Sequence, residues 1–109
     1  MTLSNKDLLS IQEARQMVEN AHAAQRVWAT ATQQQVDRVC EAMAQAAFLG
    51  AERLGRMAAE ETGFGVPEHK KLKHEFASRH VWERIKDIKT VGCLRQDAVN
   101  KIYELAWPM

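Results

Sequence analysis

The sequence has 109 residues, enough for one small domain or for part of a larger one, and its 46% hydrophobic content excludes disorder by composition. With 15 Lys and Arg against 14 Asp and Glu, the net charge of +1 leaves no electrostatic footprint for DNA, RNA or an anionic membrane. No apolar run approaches the roughly 20 residues that cross a bilayer.

Abundant alanine, with only 2 Pro and 5 Gly, favours helix. The first residues, 1–9, read as a flexible lead. They carry Lys6 and Asp7 and no apolar core of signal-peptide length, so a cytoplasmic protein is the default.

Ser10-Ile11-Gln12-Glu13 has the pattern of a capping box, in which the hydroxyl accepts from the N–H three residues on and Glu13 reaches back. A helix should follow. Ile11, Ala14, Met17, Val18, Ala21 and Trp28 recur at the spacing of one buried stripe. Arg15, Glu19 and Arg26 lie opposite, and the helix is expected to end between Ala29 and Ala31.

A second box, Thr32-Gln33-Gln34-Gln35, starts a helix whose stripe is Val36, Val39, Cys40, Met43 and Ala47. Gly50 and Gly55 each weaken helix by up to about 1 kcal/mol relative to Ala, and a break is expected near Leu49-Gly50. A third helix then spans 51–62, with Leu54, Met57 and Ala58 inward, and Gly63 is its left-handed stop.

Gly63-Phe64-Gly65-Val66-Pro67 is the clearest loop, and Pro67 suits the first turn of a fourth helix. That helix is predicted to run to about Lys86, burying Phe76, Ala77, Val81 and Ile85. Beyond Asp87 the texture turns β: Val91, Cys93 and Leu94 form one strand candidate, Arg95-Gln96-Asp97-Ala98 a turn, and Val99 to Ala106 a second strand. The fold class is therefore mainly α, about four helices followed by a β-hairpin. Two strands alone are marginally stable. A hairpin with apolar residues on both faces, followed at once by Trp107-Pro108-Met109, reads as part of a larger sheet, so the chain is expected to be incomplete.

Chemistry is sparse. His69, His74 and His80 are separated by five and six positions, which fans them apart on a helix, whereas ligand pairs sit at i,i+4. His74-Glu75 begins like a zinc-protease motif, but Ser78 stands where the second His belongs. These histidines read as solvated polar residues.

The basic cluster of His69, Lys70, Lys71, Lys73 and His74 is flanked by Glu68 and Glu75, with no glycine cradle in a strand–loop–helix setting. A solvated helix face accounts for it. Cys40, mid-helix on an apolar stripe, and Cys93, with no base paired to it in sequence, read as structural free thiols rather than nucleophiles. Trp28, Trp82 and Trp107 read as packing residues. Glu60-Glu61-Thr62-Gly63 reads as a helix end, although acidic residues there oppose the helix dipole. No catalytic, cofactor-binding or metal-ligating residue is assigned in this segment.

The run Met57-Ala58-Ala59-Glu60-Glu61-Thr62-Gly63-Phe64-Gly65 resembles the aldehyde dehydrogenase superfamily, whose early helices end in a similar Glu-Thr-Gly. Upstream, Ala23-Ala24-Gln25 to Trp28, Gln35-Val36-Asp37-Arg38-Val39 and Ala42-Met43-Ala44 look like the first helices of the coenzyme A-acylating branch. Downstream, Lys70 to Ser78 and Ile85-Lys86-Asp87-Ile88-Lys89-Thr90-Val91-Gly92 resemble the same branch. Lys101 to Pro108 looks like the strand that leads into its cofactor domain.

The resemblance covers residues 10–109 and rests on the ordered series rather than on any one motif. It implies three parts: 1–9 a lead, 10–87 a helical amino-terminal segment packing on a dinucleotide-binding domain, and 88–109 the strands that begin the oligomerisation and cofactor-domain sheet. It further implies an NAD- or NADP-dependent enzyme that converts an aldehyde and coenzyme A to acyl-CoA through a thioacyl-enzyme, dividing oxidation and acyl transfer into two easier steps.

The family's nucleophile lies much later in its chain, and neither Cys40 nor Cys93 matches it. The segment alone is thus expected to be inactive and to bind neither cofactor. The implied partners are the remainder of the same enzyme and further copies of it, with no nucleic acid and no membrane. Some acylating enzymes belong to bacterial microcompartments and carry an amphipathic targeting helix before this region; here only about nine residues precede the Ser10 box. Two alternatives stand beside this reading: the same fold forming a carboxylate with water in place of coenzyme A, and a self-contained, non-catalytic helical interaction module.

Overall fold

The computed structural model describes residues 4–109 as five α-helices and two β-strands. The chain divides into two compact units, one spanning Thr32–Lys89 and the other holding the first helix and the closing hairpin.

In the Thr32–Lys89 unit, α2 (Gln33–Leu49) opens on the expected capping box. Thr32 Oγ1 accepts from the Gln35 N–H at 3.2 Å, and Gln35 Oε1 accepts from the Thr32 N–H at 2.8 Å. Two orphan amides of the first turn are thereby satisfied. Gly50 closes α2 and opens α3 (Ala51–Thr62), as the sequence predicts. Gly63 ends α3 at φ 68°, its N–H donating to the Ala59 carbonyl at 2.9 Å. Thr62 tightens this stop: its hydroxyl donates to the Ala58 carbonyl at 2.6 Å and accepts from the Phe64 N–H at 3.2 Å.

Pro67 then takes the first turn of α4 (Pro67–Glu75), where its missing N–H costs nothing. The predicted single helix to Lys86 is interrupted. Phe76–His80 forms a π-helical turn, with the Val81 N–H reaching back to the Phe76 carbonyl, before α5 (Val81–Ile85) resumes.

α3 packs most extensively on α4, and Gly55 is the reason the two backbones can approach. A Cβ there would stand 2.7 Å from the Lys71 nitrogen, 3.0 Å from the Pro67 oxygen and 3.1 Å from the Lys70 carbonyl carbon. The sequence marks Gly55 only as a weak helix former. Its role is steric, and the cost in helix propensity is offset by contact across the pair.

In the other unit, α1 (Lys6–Trp28) begins before the Ser10 box. Asn5 caps it instead: Oδ1 accepts from the Asp7 N–H at 2.9 Å and the Leu8 N–H at 3.2 Å. Asn is as good a cap as Ser, and Asp7 in the first turn complements the dipole. Ser10 is therefore an interior helical residue, and Lys6 to Leu9, expected to belong to the lead, lie in α1; residues 1–3 of that lead fall outside the described part.

The hairpin pairs β1 (Gly92–Asp97) antiparallel with β2 (Ile102–Ala106), with a bulge between Cys93 and Arg95. The turn expected at Arg95–Ala98 falls later, at 98–101, and the second strand starts at Ile102 rather than Val99. Asp97 sets this register. Its Oδ1 accepts from the Val99 N–H at 3.1 Å and the Asn100 N–H at 3.0 Å, and Oδ2 from the Asn100 side-chain amide at 2.8 Å. Lys101 completes the turn at φ 56°.

The expected buried stripes are present but largely uncovered. Among the described residues only Ala51, Gly55, Ser78 and Pro108 are buried. Ile11, Met17 and Val18 of α1 are 53%, 69% and 68% exposed, and Met43 and Phe76 are 66% and 63% exposed. Val39, Met57, Ala77 and Ile85 are exposed too; Trp28, Val36, Cys40, Ala47, Leu54, Ala58 and Val81 are half-buried. Periodicity identifies the apolar face of a helix, but burial needs a second layer opposite it.

Candidate functional site

An apolar groove of about 350 Å³ lies in the Thr32–Lys89 unit. Cys40, Met43 and Ala47 of α2 form one wall; His74, Val81, Trp82 and Ile85 form the other. The α2 residues face it because they follow the i, i+3, i+4, i+7 series that the Thr32 cap sets in phase.

The opposite wall spans the π-helical turn: His74 before it, Ala77 within it and Val81, Trp82 and Ile85 after it line the same groove. The Ser78 hydroxyl stabilises the turn by donating to the His74 carbonyl at 2.5 Å and more weakly to the Glu75 carbonyl at 3.4 Å. On the flank of the same turn, the Arg79 guanidinium carbon lies 3.4 Å from the centroid of the Phe48 ring and ties the turn to α2 through a cation–π contact. Neither the turn nor this contact is signalled by a motif; the only hint is that the apolar series 72, 76, 77, 81, 82, 85 drifts off a single helical stripe.

Each polar candidate has a local role. His74 Nδ1 lies 2.7 Å from the Lys70 carbonyl oxygen; since a carbonyl only accepts, Nδ1 carries the proton. His80 stacks obliquely on Phe76, the ring centroids 6.1 Å apart. His69 is exposed at the start of α4. Among the described residues no three His, Cys, Asp or Glu side chains gather as a metal site.

Of the basic cluster, Lys71 pairs with Glu75 at 3.9 Å. The Lys70 side chain approaches Gly65, which lies at φ 74°. Near the end of α5, Lys86 Nζ donates to Glu83 Oε2 at 2.7 Å; that bond, with the attraction of the same carboxylate, raises the Lys86 pKa above its ordinary value.

Cys40 is half-buried in the groove wall, and Cys93 is exposed with Sγ 3.5 Å from the Arg95 carbonyl oxygen. Trp82 lines the groove, while Trp107 is 69% exposed. Among the described residues, no helix is long and apolar enough to cross a membrane. The arrangement as a whole offers an apolar surface for packing.

No family model matches the chain. Solved structures do, among them the following two. An acetylating aldehyde dehydrogenase from Geobacillus thermoglucosidasius superposes with a TM-score of 0.87 at 48% identity, over 94% of this chain and 23% of that one. A probable aldehyde dehydrogenase from Listeria monocytogenes EGD-e gives 0.86 at 46% identity, over 94% of this chain and 22% of that one. At these identities the likeness is one of sequence as well as fold, and it defines the class: an aldehyde dehydrogenase segment.

Among curated relatives, the bifunctional aldehyde-alcohol dehydrogenase AdhE of Escherichia coli K12 is 37% identical over 100 residues, 92% of this chain and 11% of that protein. Succinate-semialdehyde dehydrogenase (acetylating) of Clostridium kluyveri is 33% identical over 94 residues, 86% of this chain and 21% of that protein. The chain belongs to the acylating branch of the aldehyde dehydrogenase superfamily, as an amino-terminal segment. It spans between about a tenth and a quarter of the length of these relatives.

Proposed function

We propose that this chain serves as the helical amino-terminal part of an NAD- or NADP-dependent acylating aldehyde dehydrogenase that converts an aldehyde and coenzyme A to acyl-CoA. The observation that carries this is the match to the Geobacillus acetylating enzyme across 94% of the chain at 48% identity. The reaction belongs to the whole enzyme. The glycine-bearing stretch Gly63–Val66 joins one helix to another, not a strand to a helix, and its two glycines take the positive φ that the turn requires. No step of the reaction is assigned to Cys40, Cys93 or the histidines.

In this reading the segment's work is mechanical. The groove between α2 and α5 rests on the remainder of the enzyme, and the hairpin enters a sheet shared with it and with further subunits. Apolar faces of this kind gain about 25 cal/mol for each Å² removed from water, which supplies an ordering force without any polar recognition. The test is NADH production by the full-length enzyme with and without coenzyme A. Strong dependence on coenzyme A is expected; equal rates without it would overturn the acylating assignment in favour of carboxylate formation.

A further inference from the structure

We draw no further inference here: the strongest candidate, the apolar groove between α2 and α5 around Cys40, Met43 and Trp82, belongs to the packing surface already proposed, and nothing in the structure shows any other occupant covering it.

Discussion

A methyl group on Gly55 has no room, because the backbone of α4 already occupies its place at 2.7 to 3.1 Å. Gly55→Ala is therefore expected to destabilise the α3–α4 pair by about 1–3 kcal/mol, the range for overpacking, measured as a lowered midpoint in thermal or urea unfolding followed by circular dichroism. Gly50 is the control. A Cβ there meets the Ala46 oxygen and Leu54 Cδ1 at 3.3 Å, and its φ of −85° suits any residue. Gly50→Ala should cost less than Gly55→Ala in the same measurement; the reverse order would refute the close-approach account.

Caps give a second pair of opposite expectations. Thr32→Ala and Asn5→Ala should each cost about 1 kcal/mol, whereas Ser10→Ala should cost nothing, because Ser10 sits inside α1 and Ala is the better helix former there. A loss of helicity on replacing Ser10 comparable to that at Asn5 would restore the later helix start.

Individual elements differ in how far sequence alone determines them. The α2 start, the Gly50 break and the Gly63 stop each rest on one residue acting on its neighbours within a turn of helix, so pattern reading finds them. The start of α1 and the hairpin turn rest on side chains, Asn5 and Asp97, that compete with equally plausible neighbours. Only the geometry decides between such neighbours. The π-helical turn rests on packing between α2 and the π segment, which no local rule encodes. The groove was legible as two apolar series, but not as a groove, because the tertiary packing of α2 on α4 and the π segment brings the two series to face each other.

At the hairpin, the Asn100 backbone amide, then its side-chain amide, then the Val99 amide hold the Asp97 carboxyl below its ordinary value of 3.8. The contribution is complete above that value and is lost as the pH falls through the lowered one. Amide exchange at Val99 and Asn100, corrected for the intrinsic pH dependence, should show protection that weakens on such acidification. Asp97→Ala should abolish that protection at neutral pH. The Arg79–Phe48 contact is a separate matter of α2 holding the π segment. A double-mutant cycle of Arg79→Met and Phe48→Leu should return a coupling of about 0.5–1 kcal/mol.

At the scale of the whole molecule, the decisive quantity is how little is buried. Ala51 is the one buried hydrophobic residue among those described, and Met43, Phe76, Ile85, Leu105 and Trp107 all remain on the surface. Large contiguous apolar surface marks an interaction site or an aggregation hazard. Expressed alone, the 109 residues are expected to bind a hydrophobic dye and to associate with rising concentration, read by fluorescence and light scattering. A cooperative, monomeric unfolding transition would instead support the self-contained module. Met43→Glu with Ile85→Lys should improve the solubility of the isolated chain and impair the full-length enzyme by opening its α2–α5 seam. Improvement in both settings would show that this face lies open in the enzyme too.

The five residues Phe76–His80 also set how the gene tolerates change. Deleting any one of them would let an unbroken α-helix form, locally a better-bonded structure. Losing one residue and closing the bulge cancel in phase, each being worth about 100°, so Trp82 and Ile85 would keep their place on the groove. Loss of one residue at this point should therefore be tolerated better than gain of one.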